Sequence, residues 1–214
     1  MEAKKAVEAA LSEWGMPKRM RFDNGYPFAN TSDRYVPNAL NLWLVSLGIE
    51  VVFNAPHSPQ QNGSVEGTQR ISYNWANPKT CKNAECLQQE LNRVSSDHIK
   101  VLRQRRNGDQ TRVDLCPQIY SNTRRYDAQS IDPQKVKDHL AKYSWEKDVY
   151  DNGYVGIFSK KWNIGRQYAR QKVIITYDKT TNEWNIAMSN HKTIKRIDGP
   201  LLSKEAILNL AIFQ

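Results

Sequence analysis

The sequence predicts an α/β half followed by a small all-β half, and three observations carry that division. In the first half Ala3, Ala6, Val7, Ala10, Leu11 and Trp14 fall at helical spacing, and an apolar run over residues 39–47 leads into the β-rich run Ile49-Glu50-Val51-Val52-Phe53. Beyond residue 150 the pattern changes to short alternating runs at 154–158, 171–177, 183–188 and 193–197, with turn material at 178–182 and 189–191. Charge divides the same way. The formal net charge is +9, with +1 over residues 1–100 and +8 over residues 101–214.

The elements follow in order. The first helix ends at Gly15, and Met16-Pro17-Lys18-Arg19 leads into a strand that ends at Asp23. Residues 25–36 are polar and aromatic, a loop. Pro37 suits a helix start, and the helix over 39–47 is apolar nearly all round, hence buried, until Gly48 stops it. The next strand is 49–53. Residues 54–63, rich in Pro, Gln, Asn and Gly, form a second loop, after which Ser64 is placed to cap the helix that carries Glu66. Strand, loop, helix, strand, loop, helix is the layout of an α/β sheet. It puts Asp23 at the carboxyl edge of a strand, where such sheets place their ligands, and Glu66 on the first turn of a helix. Two carboxylates brought to such an edge suit a divalent cation.

A helix over 84–102 shows the stripe Leu87, Leu91, Val94, His98, Val101, Leu102, on which His98 reads as a core histidine. From 103 to 134 the periodicity breaks into polar, basic stretches containing Arg105, Arg106, Arg124 and Arg125, read as a linker along a phosphate backbone. Residues 135–214 are then a small antiparallel barrel closed by a short helix over 204–212 that Ser203 caps. Its basic residues Lys160, Lys161, Arg166, Arg170, Lys172, Lys192, Lys195 and Arg196 are interleaved with Trp162, Tyr168 and Trp184. Such a surface is expected to bind a polyanion.

Composition excludes other classes. Hydrophobic residues make up 39% of the 214, which is a globular proportion. Cys81, Cys86 and Cys116 give an odd count without CxxC spacing, and the four histidines are scattered, so no zinc site is expected and the thiols read as reduced, in a cytosolic protein. No apolar run approaches 18 residues and no signal-peptide pattern opens the chain.

Asp23-Asn24-Gly25 after a short strand, then Gly48-Ile49-Glu50-Val51, then Pro56-His57-Ser58-Pro59-Gln60-Gln61-Asn62-Gly63-Ser64-Val65-Glu66 resembles the second half of the catalytic core of retroviral-type integrases and related insertion-sequence transposases, the DDE superfamily. The Pro-x-x-Pro-Gln-x-x-Gly-x-x-Glu string is the specific part. The resemblance implies an RNase H-like core over residues 1–102, lacking its first three strands, followed by an SH3-like barrel. Asp23 matches the second acidic residue of the family's triad and Glu66 the third, with 42 residues between them. That separation exceeds the spacing usual in retroviral members, the surplus falling in the loop 29–36. The triad's first Asp has no counterpart, so the chain resembles the carboxyl-terminal part of such a protein.

The resemblance further implies Mg²⁺ or Mn²⁺ as cofactor, held by Asp23 and Glu66, and double-stranded DNA of mobile-element ends and target as partner. Asn62 and Arg70 are the expected contacts beside the active-site loop. A homo-oligomer, or a complex with the missing upstream portion, is expected, in a prokaryotic, nucleoid-associated setting without a membrane. Alone, the chain is expected to be inactive in strand transfer. The alternative reading is a non-catalytic DNA-binding remnant that occupies transposon ends or regulates a full-length transposase.

Overall fold

A computed structural model describes residues 2–29, 36–55, 63–103, 107–158 and 160–213. The protein is mixed α/β, and its contacts divide it into two compact units: one of Met1–Glu8, Pro17–Phe53 and Tyr126–Gln214, the other of Ala9–Met16 and Asn54–Arg125.

The first unit begins with the opening turns of α1 (Glu2–Trp14) and continues with β1 (Arg19–Phe22), α2 (Ala39–Ser46) and β2 (Glu50–Phe53). β1 and β2 pair in parallel, Arg19 opposite Glu50 and Phe22 opposite Phe53. The crossover between them is α2, whose Leu40, Asn41, Leu42, Trp43, Leu44 and Ser46 are all buried. A helix buried on every side needs cover beyond a two-stranded sheet. That cover comes from later in the chain, because α7 (Pro133–Leu140) and α8 (Lys204–Leu208) both pack on α2. Val136 and Leu140, four apart on one face of α7, are fully buried, and the Asp132 N–H donates to the Ser46 carbonyl at 3.1 Å. Tyr126 belongs to the same unit. Its ring meets the edge of Trp43 and its hydroxyl donates to Glu8 at 2.7 Å, while Lys4 pairs with Glu8 and lies over the Trp43 ring.

The rest of this unit is β-rich. β3 (Ser144–Asp148), β6 (Lys172–Asp178), β7 (Glu183–Met188) and β8 (Thr193–Asp198) form a four-stranded antiparallel sheet in the order β3-β6-β7-β8, and β4 (Tyr154–Ile157) pairs with β5 (Lys160–Asn163) as a hairpin. Strict alternation along β6 buries Val173, Ile175 and Tyr177. Trp145, Trp184 and Phe158 close the core as a ring cluster, with centroids 4.8 to 5.9 Å apart, in the tilted and edge-on arrangements aromatic rings prefer.

The second unit is helical. It holds the end of α1, then α3 (Gly63–Ala76), α4 (Ala84–Lys100), α5 (Arg112–Leu115) and α6 (Gln118–Ser121). α3 packs on α4 and α4 on α5. His98 is buried on α4, where Arg112 reaches its ring and donates to its carbonyl at 3.2 Å. Burial, then the Arg112 charge, holds the His98 pKa below its ordinary value. Gly15 ends α1 with φ +80°, and a side chain there would meet the Asn122 amide at 2.5 Å. That amide donates to the carbonyls of Trp14 and Met16, so residue 122 caps the end of α1.

Several elements differ from the sequence-based expectation. Ser144–Asp148 and Lys160–Asn163 are additional strands, each with one tryptophan as its only large apolar residue. Among the described residues, the interval 103–134 holds the short helices α5, capped at Thr111, and α6, preceded by Pro117, a 3-10 turn over Ala128–Ser130 and the first residues of α7. α2 begins at Ala39 with Asn38 as its cap, so Pro37 lies just before the cap rather than in the first turn. α3 begins at Gly63, which places Ser64 inside its first turn rather than before it. α8 stops at Leu208, short of 212.

Candidate carboxylates and nucleic-acid interface

Asp23 follows the last residue of β1 directly, so the parallel pairing with β2 delivers its carboxylate to the carboxyl edge of the two strands. The side chain is exposed, and the Gly25 N–H approaches Oδ1 at 3.3 Å. The chain then turns back on itself, with the N–H groups of Phe28 and Ala29 both donating to the Gly25 carbonyl at 3.0 Å. Phe28 stacks on Phe22 at 4.5 Å between centroids.

Two asparagines at the start of α2 hold this turn. Asn38 and Asn41 exchange side-chain to backbone hydrogen bonds as a capping box, both at 3.0 Å. Their amide nitrogens donate to the carbonyls of Pro27 and Phe28 at 2.9 Å. The Asp23 turn is therefore fastened to a buried helix. Sequence reasoning passed over both residues, although an Asn-x-x-Asn pair ahead of an apolar run is a legible cap signature.

In the second unit Glu66 is exposed in the first turn of α3, where the helix dipole favours a carboxylate. Arg70, also exposed, stands one turn further along the same face. Asn62 lies outside the described residues, as do Arg105 and Arg106. Among the described residues no group of three or more His, Cys, Asp or Glu side chains is gathered as a metal site.

The basic candidates differ in their surroundings. Some are engaged by nearby acids or carbonyls. Arg170 pairs with Asp151 at 2.7 Å and Lys172 with Glu146 at 2.5 Å, Arg196 lies 3.9 Å from Glu183, and the Lys195 ammonium donates to the Asn163 carbonyl at 2.8 Å. Those acids cancel part of the local charge, and the Arg170–Asp151 and Lys172–Glu146 pairs are exposed, so each adds little stability. Lys160, Lys161, Arg166 and Lys192 are exposed on the same β-rich part, and Lys161 lies over the Tyr150 ring at 5.7 Å. Of the remaining pair, Arg125 is exposed and Arg124 half-buried, its carbonyl accepting from the Met16 N–H at 2.6 Å.

No protein-family profile matches the chain. Among solved structures it is similar to a chain in the cryo-EM structure of the simian T-cell lymphotropic virus intasome in complex with PP2A regulatory subunit B56 gamma, at 16% sequence identity and a TM-score of 0.38. That likeness is distant. It covers 94% of this chain and 63% of the other, so this chain spans less than two thirds of its neighbour's length. The functional reading rests on this chain's own residues. No helix among the described residues is long and apolar enough to cross a membrane.

Proposed function

We propose that the chain is the carboxyl-terminal part of a DDE-type transposase or retroviral-type integrase, with a partial RNase H-like core and an SH3-like tail that binds double-stranded DNA. The observation that carries the reading is the parallel β1-α2-β2 unit with Asp23 at its carboxyl edge, in a turn fastened by Asn38 and Asn41. The Pro-x-x-Pro-Gln-x-x-Gly-x-x-Glu string supports it by ending on a first-turn helical carboxylate, Glu66.

Exposed carboxylate oxygens are the donor type that Mg²⁺ and Mn²⁺ take, and Mg²⁺ binds through only one or two carboxylates while keeping several waters. Asp23 and Glu66 fit that requirement as ligands. Bound divalent ions activate an attacking oxygen and stabilise a leaving one at phosphorus. The chain's part is to hold Asp23 rigidly on a clamped turn, to present Glu66 on a helix start, and to anchor the phosphate backbone through the tail. The triad's remaining carboxylate comes from outside these 214 residues. A homo-oligomer, or association with the segment that supplies that carboxylate, completes the proposal.

The test has two arms. The chain alone binds duplex DNA but performs no Mg²⁺- or Mn²⁺-dependent strand transfer. Joined to an upstream segment that carries the missing Asp, and given the correct DNA ends, it does. In the joined protein Asp23→Asn and Glu66→Gln each abolish transfer and leave DNA binding intact. Strand transfer by the 214 residues alone refutes the incomplete triad, and full activity of the joined Glu66→Gln protein refutes the role of Glu66.

One observation favours a second reading, a non-catalytic DNA-binding protein: the charge excess is +8 over residues 101–214 and only +1 over residues 1–100. Under that reading DNA binding persists in the joined protein without transfer.

A further inference from the structure

Two of the three cysteines meet in the turn that joins α3 to α4. The chain leaves α3 at Ala76, passes through a 3-10 turn over Pro78–Thr80, reaches Cys81 and enters α4 at Ala84. Asn83 caps α4, its side-chain oxygen accepting from the Cys86 N–H at 2.8 Å, so Cys86 is fixed in the first turn of the helix. Glu90 stands one turn further along the same face. The Cys81 thiol lies against the Cys86 thiol and feels the Glu90 charge, which places it over that face.

The sulfur of Cys81 also serves α3. Its S–H points at the carbonyls of Ala76 and Asn77, 3.7 and 4.0 Å away, acceptors of the kind a helix end leaves open. Burial, then the Cys86 thiol and the Glu90 carboxylate, hold the Cys81 pKa above its ordinary value. Cys81 therefore keeps its proton and is slow to react first. Both residues are half-buried, hence open to a small reagent, and both thiols are free, as is that of Cys116, an exposed residue at the end of α5.

We infer that Cys81 and Cys86 form a reversible intramolecular disulfide, a modification site whose co-reactant is a small-molecule disulfide such as oxidised glutathione. Cys86 gives its proton to solvent and attacks one sulfur of the reagent, forming a mixed disulfide and expelling one small thiolate. Cys81 then loses its proton, attacks the Cys86 sulfur and expels the second thiolate. Two protein thiols become one disulfide, one reagent disulfide becomes two thiols, and the two released protons end on those thiols. The product ties the turn to the first residues of α4 and withdraws the S–H from the α3 carbonyls.

Mass spectrometry of the whole reduced chain tests this, after native exposure to reduced and oxidised glutathione at about 0.1 mM each and then alkylation. A neighbouring thiol acts at an effective concentration of about 1 mM, so the Cys81–Cys86 disulfide is expected in about tenfold excess over the Cys86–glutathione adduct. Trypsin separates residues 80–82 from 83–93, and only a Cys81–Cys86 bond rejoins them, as a pair lighter by two hydrogens. Dithiothreitol returns both peptides to their starting masses. Cys86→Ala abolishes the joined pair, as does Cys81→Ser, which keeps a hydroxyl for the α3 carbonyls. If the glutathione adduct of Cys86 equals or exceeds the joined pair, or if either residue pairs with Cys116 instead, the inference falls. It falls equally if Cys116 takes up glutathione while Cys81 and Cys86 are both recovered alkylated.

Discussion

Replacing Leu140 with alanine tests whether the parallel strand pair and the β-rich tail fold as one cooperative structure. Leu140 is fully buried on α7, and with Val136 it makes up the buried face of a helix only eight residues long. So short a helix has no stability of its own and exists through its seat on α2. Leu→Ala in a packed core costs about 2–5 kcal/mol, the higher values where surrounding groups cannot collapse into the space. Leu40, Leu42, Trp43 and Leu44 of α2 are themselves completely buried and have little room to move. A loss of about 3 kcal/mol is therefore expected, roughly two powers of ten in the folding equilibrium. The assay is urea unfolding followed by circular dichroism, with hydrogen exchange read separately on peptides from α2 and from β6–β7. Both sets of peptides lose protection by the same amount in Leu140→Ala, and the exposed control Lys135→Ala changes neither. If protection falls in β6–β7 while α2 keeps its own, the two parts are independent and the reasoning is wrong.

Three further outcomes are expected. Burial, then the Lys142 charge, holds the His139 pKa below its ordinary 6.5, so the unfolded chain takes up the proton first. Stability is therefore full above pH 6.5 and falls as pH drops toward the depressed folded value; the urea midpoint is lower at pH 5 than at pH 7.5, and His139→Gln shrinks that difference. Arg166→Gln and Lys192→Gln each weaken duplex binding and reduce its salt slope by about 1, whereas Arg170→Gln and Lys172→Gln do less because Asp151 and Glu146 already offset those charges; equal effects from all four would contradict this assignment. Asn41→Ala costs about 1–2 kcal/mol and speeds exchange at residues 25–29, since it breaks both the capping box and the hold on the Phe28 carbonyl; unchanged exchange there removes the clamp.

The sequence disclosed the elements whose signals are dense. α2 is a near-continuous apolar run ended by Gly48 at φ +72°, and β6 alternates without a break, so periodicity and punctuation suffice for both. It concealed the elements whose burial hangs on one or two side chains. β3 reads Ser-Trp-Glu-Lys-Asp and β5 reads Lys-Lys-Trp-Asn, and nothing in either says strand until a neighbouring strand is there to pair with it. α7 carries only Val136 and Leu140 among polar residues, although Asp132 as cap and Pro133 at the first helical position do announce a start. The positions of Asp23 and Glu66 on their elements were legible because each sits at a boundary that glycine or a strand end marks. The Asn38–Asn41 clamp and the Asn122 grip on the end of α1 were not, because their partners are carbonyls 10 to 108 residues away.

The burial of α2 on every side links the two ends of the first unit. An apolar helix laid on two strands would leave its outer face in water, and α7 and α8 cover it. The helix so covered is the one whose first turn, through Asn38 and Asn41, holds the Asp23 loop. Loosening α7 is therefore expected to act on the Asp23 turn through α2.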